Sequence, residues 1–268
     1  MDESPGGRSG SPDRHDRFAE SDFGRVPETS LFIGISTLCA AAVRLTGADG
    51  AAVAVLTADT STRELVYATD PVAQQIDELQ FVIGEGPCLA AYRDNHEELW
   101  PELDAGPAAE RWPAFTPEIL ALGVRAAFAF PVPGARRPIG VLELYRKTIG
   151  VLTAEARHSA AGCAFAIGKA LQTNWHERVL AAGGVESAVA LSELREPGFE
   201  EPGSFSRSEV YVASGMVAVQ LGVSAEEGLD RLRAYSYAQG RSIVEVAADI
   251  VARRLSLRDQ RDSIEGHG

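Results

Sequence analysis

Apolar residues recur along the chain at two different spacings, and the change of spacing separates helices from strands. A spacing of three to four residues over 31–47 predicts a helix that ends at Gly47, and similar spacings predict helices over 112–124 and from Thr153 onward. Short apolar or alternating runs predict two β-hairpins, with strands at 51–56, 64–69, 124–132 and 138–146. A helix, antiparallel strands and a closing helix together are typical of an α+β domain.

The helix predicted from Thr153 carries a continuous apolar stripe. Its members follow one another at steps of four, three, four and four residues: Ala160, Ala164, Ile167, Leu171 and Trp175. A stripe with this spacing is suited to packing against a second helix. We therefore expect the chain to form a homodimer through residues 160–175, and we expect Ile167→Asp to give monomers.

The pattern breaks after residue 182, where Gly and Pro become frequent, and it is then wholly helical. Three serines precede a Glu by three positions, which is the spacing of a helix capping box: Ser206, Ser224 and Ser242. The sequence thus predicts a C-terminal bundle of three helices. The chain divides into a leader at 1–27, an α+β domain at 28–182, a linker at 183–203 and the bundle at 204–260.

Composition narrows the class of protein. The 268 residues are 45% hydrophobic and 24% charged, which is ordinary for a globular protein, and the net charge of −13 excludes a chain that is polybasic throughout. Three widely spaced cysteines fit a reducing compartment, and the chain has neither a secretion signal nor an apolar run of about 18 residues. We therefore expect a cytoplasmic protein that does not enter a membrane.

Charge is unevenly distributed along the chain. Residues 206–258 hold seven Arg against six acidic residues, whereas residues 1–205 carry a net charge of −12. Basic and aromatic residues are interleaved in the predicted bundle at Arg231, Arg233, Tyr235, Tyr237 and Arg241. Guanidinium and aromatic groups together can contact phosphates and stack on unpaired bases, which favours RNA as a partner. The alternative is that these residues form the solvated faces of an ordinary bundle.

Motifs for catalysis and metal binding are missing from the sequence. The five histidines do not have metal-ligand spacing, and neither a Walker loop nor a G-x-S-x-G motif occurs, so we expect neither an enzyme nor a metal site. Gly84 and Gly86 predict a turn or a ligand-contacting loop. Cys88 follows Pro87 near a helix N-terminus, where the pKa of a thiol is lowered. Cys88 is therefore a candidate redox residue, with an unreactive thiol as the alternative.

The stretch FSRSEVYVASGMVAVQLGVSAEEGLDRLRAYSYAQGRSIVEVAADIVARRL resembles an ANTAR domain, an RNA-binding antiterminator module. The A-x-G motif of that family matches Ala213-Ser214-Gly215. Its L-R-x-x-A motif begins at Leu232-Arg233, reaches Ser236 and is followed by the basic Arg241.

The chain departs from the ANTAR pattern at three positions. The family usually has Lys where this chain has Ser214, and Ala where it has Gly228 and Ser236. Replacing the Lys removes one phosphate contact, so we expect weaker RNA binding or a basic patch centred on Arg231 and Arg233.

Residues 31–176 are similar to the GAF domains that precede ANTAR domains in actinobacterial proteins. The similarity rests on GEGPCLAAYRDN, on the helix after Trp112-Pro113 and on the hairpin FAFPV…IGVLELYR. It implies an antiparallel sheet flanked by helices, in a domain that senses a small ligand or a redox signal. The sequence does not identify that ligand or any cofactor. The resemblance further implies signal transduction through a dimer to the ANTAR bundle, which binds an RNA stem-loop and lets transcription pass a terminator.

Pattern and resemblance together assign RNA binding to Ala213, Ser214, Gly215, Arg231, Arg233, Tyr235 and Arg241. The alternative is a ligand- or redox-responsive protein-interaction module that does not bind RNA and senses its signal through Cys88 or a GAF pocket. Such a module would present an exposed apolar face on the bundle.

Overall fold

The computed structural model describes residues 31–57, 62–188 and 207–258. The predicted leader at 1–27 lies outside the described residues, as do Ser206 and most of the predicted linker at 183–203.

The described residues form an N-terminal α+β domain and a C-terminal three-helix bundle, as the sequence predicts. The helices of the N-terminal domain are α1 (Ile35–Thr46), α2 (Pro71–Ile83), α3 (Pro87–Asp94), α4 (Gly106–Arg111), α5 (Phe115–Ala121) and α6 (Ala154–Ala181). Its strands are β1 (Gly50–Leu56), β2 (Arg63–Ala68), β3 (Glu98–Trp100), β4 (Ala126–Val132) and β5 (Gly140–Arg146). The C-terminal bundle consists of α7 (Ser208–Leu221), α8 (Ala225–Gln239) and α9 (Ile243–Val251).

The strands form one antiparallel sheet in the order β2-β1-β5-β4-β3. Both predicted hairpins are confirmed, because β1 pairs with β2 and β4 pairs with β5. The two hairpins join through β1 and β5, where Val53 lies opposite Leu142. The edge strand β3 is only three residues long, and the sequence pattern did not predict it.

One face of the sheet is covered by α1 and α6. Every second residue of the central strands points to this side: Ala51, Val53, Phe128, Phe130, Leu142 and Leu144. The apolar stripe of α6 packs here, with Ala160 and Ile167 fully buried against α1 and the sheet. The partner of the stripe is therefore α1 of the same chain. The expectation that Ile167 contacts a second chain is wrong, because Ile167 is already buried within this chain, and the homodimer itself stays a prediction.

The opposite face of the sheet is lined by small residues and covered by α2, α3 and α5. Four alanines of β1 and β4 point to this side: Ala52, Ala54, Ala127 and Ala129. Glu143 of β5 also points to this side, where it is buried with Gln80 of α2. This face therefore combines apolar packing with buried polar groups.

Helix caps in the C-terminal bundle follow the sequence prediction in part. Ser224 accepts a hydrogen bond from the N–H of Glu227 at 3.1 Å, as a capping residue does. Ser242 caps α9 through the N–H of Val244, one position earlier than a capping box requires. Arg207 precedes α7 and gives no side-chain cap. Gly222 and Gly240 end α7 and α8 with left-handed backbone conformations.

Candidate nucleic-acid interface

The exposed basic residues of the bundle lie on α8, on the α8–α9 turn and after α9. The side chain of Arg231 is 60% exposed, and its nearest acid is Glu227 at 4.0 Å. Arg241 and Arg254 both pair with Asp249, at 2.7 and 2.8 Å. Because one carboxylate is shared by two guanidiniums, Arg241 and Arg254 retain N–H groups that can face phosphates.

Two residues of this surface were not selected from the sequence. Arg254 is 63% exposed and lies beside Arg241 through the shared Asp249. Tyr237 is 52% exposed and adds an aromatic ring two positions after Tyr235. Tyr237 belongs to the interleaved Arg and Tyr pattern of α8, so the sequence pattern could have identified it as an RNA-binding residue. The pairing of Arg254 with Arg241 requires the folded turn.

The residues of the A-x-G motif do not share this exposed surface. Ala213 is fully buried in the bundle core, and Ser214 is 5% exposed with its hydroxyl bonded to the carbonyl of Tyr211 at 2.8 Å. Gly215 faces open space, since an added Cβ would meet nothing within 4 Å. In this conformation, Ala213 and Ser214 hold the bundle together and do not present side chains to a partner.

The departures from the ANTAR pattern have local packing roles. A Cβ on Gly228 would come within 2.4 Å of the backbone oxygen of Ser214, so Gly228 permits the close approach of α7 and α8. Ser236 is 2% exposed and donates a hydrogen bond of 2.6 Å to the carbonyl of Arg241. Ser236 thus anchors the α8–α9 turn.

Arg233 lies at the junction between the bundle and the N-terminal domain. Its guanidinium is 4.8 Å from the ring centre of Phe81 on α2, and its side chain is only 21% exposed. Burial lowers the pKa of Arg233, while Asp230 at 3.2 Å acts in the opposite direction. The structure therefore separates Arg233 from the exposed Arg231 and Arg241.

A buried ion-pair network joins the two domains. The carboxylate of Asp77 on α2 accepts hydrogen bonds from Arg63 of β2 and from Arg207 at the start of the bundle. All three side chains are at most 7% exposed. Burial would raise the pKa of Asp77, but the two facing guanidiniums outweigh it and lower that pKa. Asp77 is therefore held as an anion between two cations.

Aromatic contacts surround this network. Phe81 packs into the hydrophobic core of the bundle, and the Arg207 guanidinium lies 4.1 Å from its ring centre. The hydroxyl of Tyr211 accepts a hydrogen bond from the backbone N–H of Arg63 at 2.7 Å and donates one to the backbone carbonyl of Arg63 at 3.0 Å. The bundle is thus docked on the N-terminal domain by apolar, aromatic and charged contacts together.

A cavity of about 300 Å³ lies at the same junction. It is lined from the N-terminal domain by Val82, Ile83, Gly84 and Ala114, and from the bundle by Asp230, Arg233, Ala234 and Tyr237. The two domains therefore meet without filling all the space between α2 and α8.

Behind the junction, a polar cluster reaches into the N-terminal domain. The side-chain amide of Gln80 donates to Glu143 at 2.7 Å, and its oxygen accepts from the N–H of Cys88 at 2.8 Å. Burial raises the pKa of Glu143 from 4.5 to about 7. Burial also raises the pKa of the Cys88 thiol, which is opposite in direction to the lowering expected at a helix N-terminus. Cys88 has the surroundings of an unreactive thiol.

Within residues 31–57, 62–188 and 207–258, no group of three or more His, Cys, Asp or Glu side chains is arranged to hold a metal ion. Among the described helices, none has the length and apolar character needed to cross a bilayer.

Comparisons with known proteins agree with this architecture. The GAF domain family matches residues 35–172, and the ANTAR domain family matches residues 206–251. No curated protein matches the chain.

GAF domains are among the solved structures with similarity to this chain. The GAF-B domain of DevS from Mycobacterium smegmatis is 23% identical, over 55% of this chain and 96% of that one, with a TM-score of 0.40. The GAF domain of an Acinetobacter phosphoenolpyruvate-protein phosphotransferase is 13% identical, over 58% and 87%, with a TM-score of 0.42. A type II free methionine-R-sulfoxide reductase from Thermoplasma acidophilum is 13% identical, over 54% and 96%, with a TM-score of 0.40.

Proposed function

This chain belongs to the GAF and ANTAR domain-containing proteins, and from that premise we propose that it is a signal-responsive regulator of transcription antitermination without catalytic activity. In this proposal the ANTAR bundle binds an RNA stem-loop and the GAF domain senses a small molecule. The observation that carries the proposal is an ANTAR domain in which Arg231, Arg241, Arg254 and the ring of Tyr237 are exposed on α8, on the α8–α9 turn and after α9.

The charge distribution of the bundle supports RNA as the partner. Arg231, Arg241 and Arg254 are 60%, 38% and 63% exposed. Guanidiniums in such positions can contact phosphates while a nearby aromatic ring stacks on an unpaired base. We assign phosphate contacts to Arg231 and Arg241 and base stacking to Tyr235. Gly215 allows close approach of the RNA, and Arg233 joins the interface only when it leaves Phe81.

The sensing role is assigned to the GAF domain as a whole. Its ligand is a small molecule, and a redox signal through Cys88 is disfavoured because burial raises the pKa of that thiol. We also propose a homodimer. Its interface does not include Ile167, since that side chain packs within the chain.

The proposal is tested with Arg231→Ala/Arg241→Ala. Each lost phosphate contact should reduce the slope of log affinity against log salt by about 0.7 to 0.9. We therefore expect RNA stem-loop binding, followed by fluorescence anisotropy, to weaken at least about tenfold with a flatter salt dependence. In cells, crosslinking and RNA sequencing should recover stem-loops ahead of terminators with the unmodified protein and lose them with the variant.

The matched control is Arg44→Ala/Arg136→Ala, which removes two exposed arginines from the N-terminal domain. The control should retain full RNA affinity and should have the same circular dichroism spectrum as the test variant. If both double variants bind RNA equally, the assigned surface is wrong. If no protein recovers stem-loops from cells, antitermination is wrong.

A protein-interaction module is the second candidate, and one observation favours it. On α7 of the bundle, Val212 is 55% exposed and Val219 is 85% exposed, and Val244 at the start of α9 is 42% exposed. An apolar surface of this kind is suited to a protein partner. Val212→Ser/Val219→Ser should leave stem-loop binding unchanged if RNA is the partner.

A further inference from the structure

Four carboxylates of the GAF domain contact the ANTAR bundle. They come from three separate elements: Glu64 from β2, Asp77 and Glu78 from α2, and Glu118 from α5. We call them the acidic docking surface. Together they place negative groups against a bundle in which residues 206–258 hold seven Arg against six acidic residues.

The bundle meets this surface with groups that commonly bind phosphate. The backbone N–H of Arg207 donates to Glu64 at 3.0 Å, and its guanidinium donates to Asp77. The Ser242 hydroxyl donates to Glu78 at 2.9 Å, and the Tyr237 hydroxyl donates to Glu118 at 3.3 Å. Guanidiniums, hydroxyls and N–H groups at helix starts are the usual donors to nucleic-acid phosphates.

We propose that the acidic docking surface substitutes for RNA phosphates, so that docking on the GAF domain and RNA binding exclude each other. This inference rests on the proposed function, because it concerns the same RNA-binding bundle. The carboxylates occupy donors on all three helices of the bundle, at the starts of α7 and α9 and along α8. A ligand of the GAF domain that moves α2 would uncover the donors bound by Asp77 and Glu78.

Arg233 gives the proposal a steric component as well as an electrostatic one. Its guanidinium lies over Phe81, and it is the least exposed of the three arginines assigned to RNA. In this proposal α2 keeps an RNA strand from Arg233 while it packs on α8, because Phe81 covers the guanidinium and only 21% of the side chain is exposed. RNA that uses Arg233 therefore has to displace the helix that carries Asp77 and Glu78.

The first test is Glu78→Gln/Glu118→Gln in the full chain. Both side chains are partly exposed, so the fold does not depend on their charge. We expect stem-loop affinity to rise at least threefold. The matched control, Glu110→Gln/Glu177→Gln, changes net charge equally at exposed sites remote from the bundle contacts and should change affinity less than twofold. Equal affinities in the two variants would overturn the proposal.

The second test measures docking without relying on affinity. Val82 and Ala234 line the junction cavity from opposite domains, so Val82→Cys/Ala234→Cys can be joined by a short bis-maleimide. The native cysteines are buried and should react slowly. We expect the crosslinked protein to lose stem-loop binding, and we expect stem-loop RNA or heparin to slow crosslinking of the free protein.

The outcomes separate the two proposals. If RNA binds in the anisotropy assay and the crosslinked protein binds it equally well, the docking surface does not compete with RNA, and the proposed function stands. If neither the wild type nor Glu78→Gln/Glu118→Gln binds stem-loop RNA, while crosslinking is also unaffected by heparin, both proposals are wrong.

Discussion

The two faces of the GAF sheet are built from different chemistry. The face under α1 and α6 is closed by apolar side chains and Cys39. Burial, together with the nearby Cys163, raises the pKa of the Cys39 thiol to about 12. The face under α2 buries Arg63, Asp77, Gln80 and Glu143. Apolar burial stabilises regardless of what lies nearby, whereas a buried charge is stable only when its partners are in place. Since one partner is Arg207 of the bundle, the polar face depends on docking.

The largest effect is expected on the apolar face. Ile167→Asp places a carboxylate in a site with 0% exposure and should lower the free energy of unfolding by more than about 4 kcal/mol. Urea unfolding followed by circular dichroism measures this. The control is Phe165→Asp on the same helix, which is 56% exposed and should change stability little. If the unmodified chain sediments as a dimer and a folded Ile167→Asp chain sediments as a monomer, Ile167 is a dimer contact after all.

A smaller loss is expected on the polar face. Asp77→Asn leaves the buried guanidinium of Arg63 without its anion and should lower the free energy of unfolding by about 3 kcal/mol. The double variant Arg63→Met/Asp77→Leu removes two of the three charges, leaves Arg207 as the one unpaired cation of the network, and should lose less stability than the single variant. If the double variant is the less stable of the two, the ion-pair network makes a net contribution to the stability of the fold. The polar face would then resemble the apolar face in stabilising the domain.

The smallest effect is a dependence on pH. The pKa of Glu143 is about 7 when buried and near 4.5 when the chain is unfolded. Between these values the native state keeps a proton that the unfolded state has released, so stability falls as pH rises. From about pH 5 to 7, this group should contribute a loss of about 2 kcal/mol. Glu143→Gln should flatten that part of the stability curve, measured by urea unfolding at fixed salt.

An unchanged pH dependence in Glu143→Gln would show that the polar face titrates through another group. Asp77 has a lowered pKa, so its contribution is lost only as pH falls below the ordinary range of a carboxyl group. The two carboxyl groups therefore act in separate pH windows.

Local pattern predicted most of the secondary structure. Periodicity and capping residues predicted both hairpins, the helix capped by Thr153 and the three bundle helices. These signals are local, because each depends on residues only a few positions apart in the sequence. The sequence pattern did not predict the strand β3, because three residues are too few to show the two-residue alternation of a strand. The exposed Arg231 and Arg241 were also found from sequence, since basic and aromatic residues are interleaved along α8 and into the turn that follows it.

The sequence by itself determined the order of elements, the two domain types and the basic character of the bundle, because these depend on neighbouring residues. Tertiary structure decided which stripes and charges are buried. The sequence pattern assigned Ile167 to a dimer contact and Arg233 to RNA binding, yet each is covered by another helix. Arg63, Asp77 and Arg207 are separated by 14 and 130 positions. Nothing local marks them as one network, since burial and pairing arise only when distant segments pack.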